Sequence, residues 1–74
     1  MELLQSIDAD LLDEWIGKSG YKVGFIVETL GISRQAFDKK KKGTIPFRKS
    51  EKYVICDMLN IPEDIAAKIF YPKG

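Results

Sequence analysis

"VGFIVETLGISRQAFDKKKKGT", residues 23–44, decides how the rest of this 74-residue chain is read. Val23, Ile26, Val27 and Leu30 recur at i, i+3, i+4 and i+7, which is one face of an α-helix. Gly31 breaks the pattern, because a sharp reversal wants a residue that tolerates positive φ. Ser33 then caps a further helix from Arg34 to about Lys42, with Ala36 and Phe37 turned inward and Gly43 ending it. Leu30 and Ile32 flank the glycine and are expected to pin both helices to the core. Four consecutive lysines, Lys39–Lys42, close the second helix.

Working outward, the same period recurs on both sides. Asp8 is an N-cap, followed by Leu11, Leu12, Trp15 and Ile16 on one stripe, and Gly20 supplies the stop. Asp10, Asp13 and Glu14 point elsewhere, and acids suit an early helical turn. Upstream, Leu3, Leu4 and Ile7 keep the helical spacing. Residues 1–8 therefore either extend this helix or form a separate docking segment. Downstream, Thr44 to Phe47 reads as a loop whose Ile45 and Phe47 return to the core, with Pro46 keeping Ile45 extended. A helix from about Arg48 to Leu59 turns Val54, Ile55, Met58 and Leu59 inward. Pro62 at a first helical position, then Glu63 and Asp64, starts another, with Ile65, Ala66, Ile69 and Phe70 on its apolar side and Pro72 as its stop. Apart from the lysine run there is no linker, repeat or low-complexity segment. The expectation is one all-α domain, residues 1–74, of five helices.

Composition narrows the function classes. Hydrophobic residues at 45% and charged residues at 31% suit a folded chain rather than a disordered one. No apolar run approaches the roughly 20 residues that span a bilayer, and Met1 to Ile7 carries no basic residue of the kind a signal peptide needs. With one cysteine, Cys56, and no histidine, a disulfide framework is impossible and a Cys/His metal site is not expected. The same shortage removes the commonest catalytic side chains. A cytoplasmic protein that is not an enzyme and carries no cofactor fits best. Net charge is +1, but residues 1–32 hold two lysines against six acids, while residues 33–52 hold eight bases against two acids. A neutral total thus hides a basic middle, and polyanion binding needs a basic patch rather than a basic whole.

Residues 23–42 fit the helix-turn-helix pattern. Through "SGYKVGFIVETLGISRQAF", then Gly43, Phe47, "DMLNIPED" and "IFYP", the chain resembles the Cro/C1-type helix-turn-helix regulators of phages and bacteria over about residues 10–72. The resemblance implies a five-helix lambda-repressor-like domain whose third helix enters the major groove, in a bacterial host cell. Carried over position by position, it places Ser33, Arg34, Gln35, Asp38 and Lys39 against DNA. Arg34 would pair with guanine O6 and N7, and Gln35 with adenine N6 and N7. Lys22 and Lys42 would sit near phosphates, and the N-terminus of the helix that starts near Lys22 is also a natural phosphate site. The chain departs from the pattern at Val27, where the family usually has Ala. It departs again at Lys40 and Lys41, where the family usually has an aliphatic anchor. Two outcomes are open there: one lysine stem lies along the core with its ammonium in water, or the helix frays after Phe37.

The expected function is sequence-specific binding of double-stranded operator DNA by a transcriptional regulator, with a homodimer as one form. The competing expectation is an antirepressor that keeps the fold and binds a partner repressor protein, with Leu3, Leu4 and Ile7 as its interface. The acidic first third and Asp38 favour that alternative, since an acidic face can mimic DNA or dock onto a basic partner. A nonspecific nucleic-acid binder would need only the basic middle. For Lys39–Lys42 alone, a solvated helix end is an equally simple account. Trp15, Phe25, Phe37, Phe47 and Phe70 read as core or interface rather than base-stacking residues, and Cys56 as a small buried hydrophobe.

Overall fold

The computed structural model describes residues 7–72, and among them the chain forms five α-helices and no sheet. They are α1 (Ala9–Ser19), α2 (Val23–Leu30), α3 (Arg34–Lys42), α4 (Lys49–Leu59) and α5 (Glu63–Phe70). None of them is long and apolar enough to cross a membrane.

Local chemistry sets the helix ends. The Asp8 carboxylate accepts from the Leu11 N–H at 3.1 Å, and the Ser33 hydroxyl accepts from the Ala36 N–H at 3.0 Å. Each satisfies one of the donors that a helix start leaves free. α2 ends at Gly31, where φ is +73°. The following Ile32 N–H donates back to the Val27 carbonyl at 3.1 Å and turns the chain directly into the cap of α3. Asn60, at φ +55°, makes the same kind of ending for α4, with the Ile61 N–H donating to the Cys56 carbonyl at 3.0 Å.

The core draws on every helix: Leu12 and Ile16, Ile26 and Val27, Phe37, Ile55 and Leu59, and Ile69 and Phe70, with Phe47 and Ile61 from the connections. α1 packs on α4 and α5, and α2 packs on α3 and α4. Phe47 is the joint of the α3 side. Its ring meets Phe37 edge-on at 6.1 Å and Phe70 edge-on at 5.6 Å, geometries that favour aromatic pairs beyond their burial.

Several expectations change. Ile45 is exposed, because the loop bends back to satisfy α3: both the Thr44 and Ile45 N–H groups reach the Lys39 carbonyl, so only Phe47 turns inward. Leu30 and Ile32 pack on the core but are half-buried. Pro62 is the N-cap of α5 rather than its first helical residue. Val54 is only half-buried, since the inward row of α4 is Glu51, Ile55 and Leu59. Phe25 lies outside the core at 50% exposure and stacks on Tyr21 at 5.4 Å. Cys56 is half-buried.

Candidate nucleic-acid interface

At about 100° per residue, α3 divides its side chains between two faces. Arg34, Gln35, Asp38, Lys39 and Lys42 fall on one arc, Phe37 and Lys40 on the opposite one, and the half-buried Lys41 at the boundary beside Arg34. Burial follows this division: Arg34, Gln35, Lys39 and Lys42 are exposed and Asp38 is half-buried, whereas Phe37 and Lys40 are buried. Ser33 is exposed at the head of the same helix, its oxygen engaged in the cap. The structure therefore brings six of the residues singled out from sequence onto one helix and its cap. Lys22 is exposed at the start of α2, where no side chain caps the first N–H groups.

Lys40 and Lys41 overturn both expectations for the end of α3. The helix does not fray after Phe37 but runs unbroken to Lys42. Nor does Lys40 hold its ammonium in water. Its Nζ donates to Glu51 Oε1 at 2.6 Å, with both residues only 7% exposed. The same carboxylate oxygen accepts from the Arg48 N–H at 2.9 Å and so caps α4. Burial pushes the Glu51 carboxyl upward, but the hydrogen bonds from Lys40 and Arg48 and their positive charges outweigh it, and the carboxyl sits below its ordinary 4.5. Lys41 turns the other way around the helix. Its ammonium donates to Asp13 Oδ1 of α1 at 2.6 Å and lies 5.5 Å from the centre of the Phe37 ring. Asp13, expected on a solvated acidic face, is thus a counter-charge for α3.

Arg34, Lys39 and Lys42, with the exposed Arg48 and Lys49 at the start of α4, form no ion pair with any acid among the described residues. Like Lys22 and Lys68, which are also exposed and unpaired among the described residues, they are open to an external anion. Asp38 shares the α3 arc with Arg34, Lys39 and Lys42, and its charge opposes a phosphate there. Compared with protein-family models, with curated proteins and with solved structures, the chain matches none.

A second surface has no counterpart among the expected site residues. α4 and α5 enclose a groove of about 430 Å³ lined by Lys49, Lys52, Tyr53, Cys56, Phe70 and Tyr71, among others. Tyr53 is 75% exposed and Tyr71 55% exposed. Lys52 donates to the Tyr71 hydroxyl at 2.7 Å and lies over that ring at 4.3 Å. Burial pushes the Cys56 thiol above its ordinary 9.0, so it is protonated at neutral pH. The apolar stripe of α1, by contrast, is used by the fold: Leu12 and Ile16 are core, and Ile7, Leu11 and Trp15 pack against it. Of the three residues expected at a protein interface, Ile7 is therefore partly committed to the domain itself, and Leu3 and Leu4 lie outside the described residues.

Proposed function

We propose that this chain is a helix-turn-helix regulator of the Cro/C1 type that binds double-stranded operator DNA through α3, without catalysis or a cofactor. The observation that carries the proposal is the outward face of α3. It offers Arg34 and Gln35 in the first turn, where a recognition helix reads base edges, and Lys39 and Lys42 further along, where phosphates run. The uncapped start of α2, with Lys22 beside it, suits a backbone phosphate. Arg34 and Gln35 carry the bidentate donors and acceptors that distinguish guanine and adenine in the major groove.

The test is a selection of the purified chain against a random duplex library. The selected sequence is then titrated against unselected duplex at about 50 and 200 mM salt. Preference for the selected duplex that survives at the higher salt supports the proposal. Equal affinity for both leaves only nonspecific polyanion binding.

The α4–α5 groove and its exposed tyrosines favour a second reading, a protein that acts on a partner repressor. Exposed aromatic side chains beside an apolar groove are typical of protein interfaces. Release of a repressor from its operator by this chain, with no retention of DNA by the chain alone, would select that reading.

A further inference from the structure

We infer that the lysine run is divided by role: Lys39 and Lys42 contact phosphates, while Lys40 and Lys41 are positioning residues that tie the end of α3 to α4 and to α1. The phosphate half of this division rests on the DNA-binding proposal; the tie stands on contacts within the chain.

Four consecutive helical residues point in four directions, so one nucleic-acid backbone cannot engage them all. The ammonium of Lys40 is held by a buried carboxylate that also caps α4, and reaching a phosphate would strip Glu51 of its partner in a site closed to water. Lys41 is held by Asp13 and by the face of Phe37, on the side of α3 turned towards α1. Lys39 and Lys42 lie with Arg34 and Gln35 on the open face and pair with no described acid. Lys40 is buried and Lys41 lies half-buried at the flank of the helix, and each engages an acid from a different helix. Together they fix the tilt and roll of α3 from both flanks. A sequence-reading helix needs that seating, because its side chains must meet base edges within fractions of an ångström.

Two measurements on the full chain decide the matter. In the first, the salt dependence of duplex affinity is compared for the wild type, Lys39→Gln, Lys42→Gln, Lys41→Gln and Lys40→Met. Lys39→Gln and Lys42→Gln should each flatten the log–log slope by about one, which is about 3.5-fold less loss of affinity between about 50 and 200 mM salt. Lys41→Gln and Lys40→Met should leave the slope unchanged while narrowing the preference for the selected sequence. Lys41→Glu should weaken that preference, and adding Asp13→Lys should restore it, because the pair is re-formed with its charges exchanged. A slope loss at Lys41 equal to that at Lys42, or no restoration by the exchange, overturns the division. In the second measurement, amine acylation of the wild type is followed by mass spectrometry, which does not depend on any variant folding. Lys39 and Lys42 should react severalfold faster than Lys40 and Lys41; equal rates overturn the tie. A wild type that binds no duplex at about 50 mM salt overturns the DNA reading and the phosphate role together, and the acylation pattern then decides the tie by itself.

Discussion

The ammonium of Lys40 and the carboxylate of Glu51 meet at 2.6 Å across eleven residues of sequence, each only 7% exposed. A buried pair of this kind is costly to break from one side, since the remaining charge stays desolvated. Lys40→Met or Glu51→Leu alone should each cost about 3–5 kcal/mol. The double variant should be markedly more stable than the sum of those losses, because two apolar side chains can fill the same space. It should still fall short of full recovery by the cost of the lost α4 cap, about 0.5–2 kcal/mol. Denaturant titrations of the four proteins check this, and additive losses would show that the two side chains are not coupled.

Glu51 also makes stability depend on acid. Its carboxyl is held below its ordinary 4.5 in the folded chain, so the unfolded chain takes up the proton more readily. Its contribution is therefore fully present above pH 4.5 and is lost as pH falls through the lower folded value. Thermal midpoints measured from neutral pH downward should fall more steeply in the wild type than in Glu51→Gln, which has no proton to gain there.

At Gly31 the cost of a side chain comes from the backbone and not from crowding. An added Cβ would meet nothing within 4 Å, yet φ is +73°. Gly31→Ala should destabilise by about 1–2 kcal/mol. Gly31→Asn should cost less, since Asn60 already ends α4 in the same conformation. Similar losses for Ala and Asn in chemical denaturation would place the cost elsewhere than in φ.

Phe37→Ala removes a fully buried ring at the foot of α3 and should cost about 3–5 kcal/mol. Phe37→Leu keeps most of the burial but gives up the edge contact to Phe47, and should cost about 1–2 kcal/mol. Near-neutral behaviour of the alanine variant would contradict a core role for this side chain.

Arg34→Ala should weaken binding to the selected duplex by about 1–3 kcal/mol and to unselected duplex only slightly, because a base contact carries sequence information and a phosphate contact does not. Equal losses on both duplexes would place Arg34 on the backbone instead.

The helices were legible because apolar residues recurred at helical spacing and because Asp8, Gly31, Ser33 and Gly43 marked their ends. Lys40 and Glu51 were not, since charged residues at inward positions contribute nothing to a hydrophobic period. What hinted at them was four lysines on a helix whose successive residues cannot all face water, and a glutamate three residues after Arg48, where it can cap α4. Ile45 misled for the opposite reason: its side chain is apolar, but its backbone is bound to the end of α3. Sequence does not say how many neighbours a helix has; α4 and α5 both cover the apolar stripe of α1. The outward face of α3 could be read residue by residue, whereas the α4–α5 groove joins residues that form no motif. It became visible only once the two helices were placed side by side.

The Asp8 N–H donates to the Ile69 carbonyl at 2.8 Å, which brings the start of α1 against the last turn of α5. The path of the chain is thus nearly a closed ring. A few residues, at roughly 3.3–3.6 Å each, could bridge Pro72 to Ile7. The ring could then be opened in the exposed stretch from Gly20 to Lys22, giving a circular permutant that begins with α2 and keeps α2, its turn and α3 in one uninterrupted piece. Seen this way, the order of the helices along the chain matters less to the outward face of α3 than which of them are neighbours, and α1 could serve its place as well after α5 as before α2.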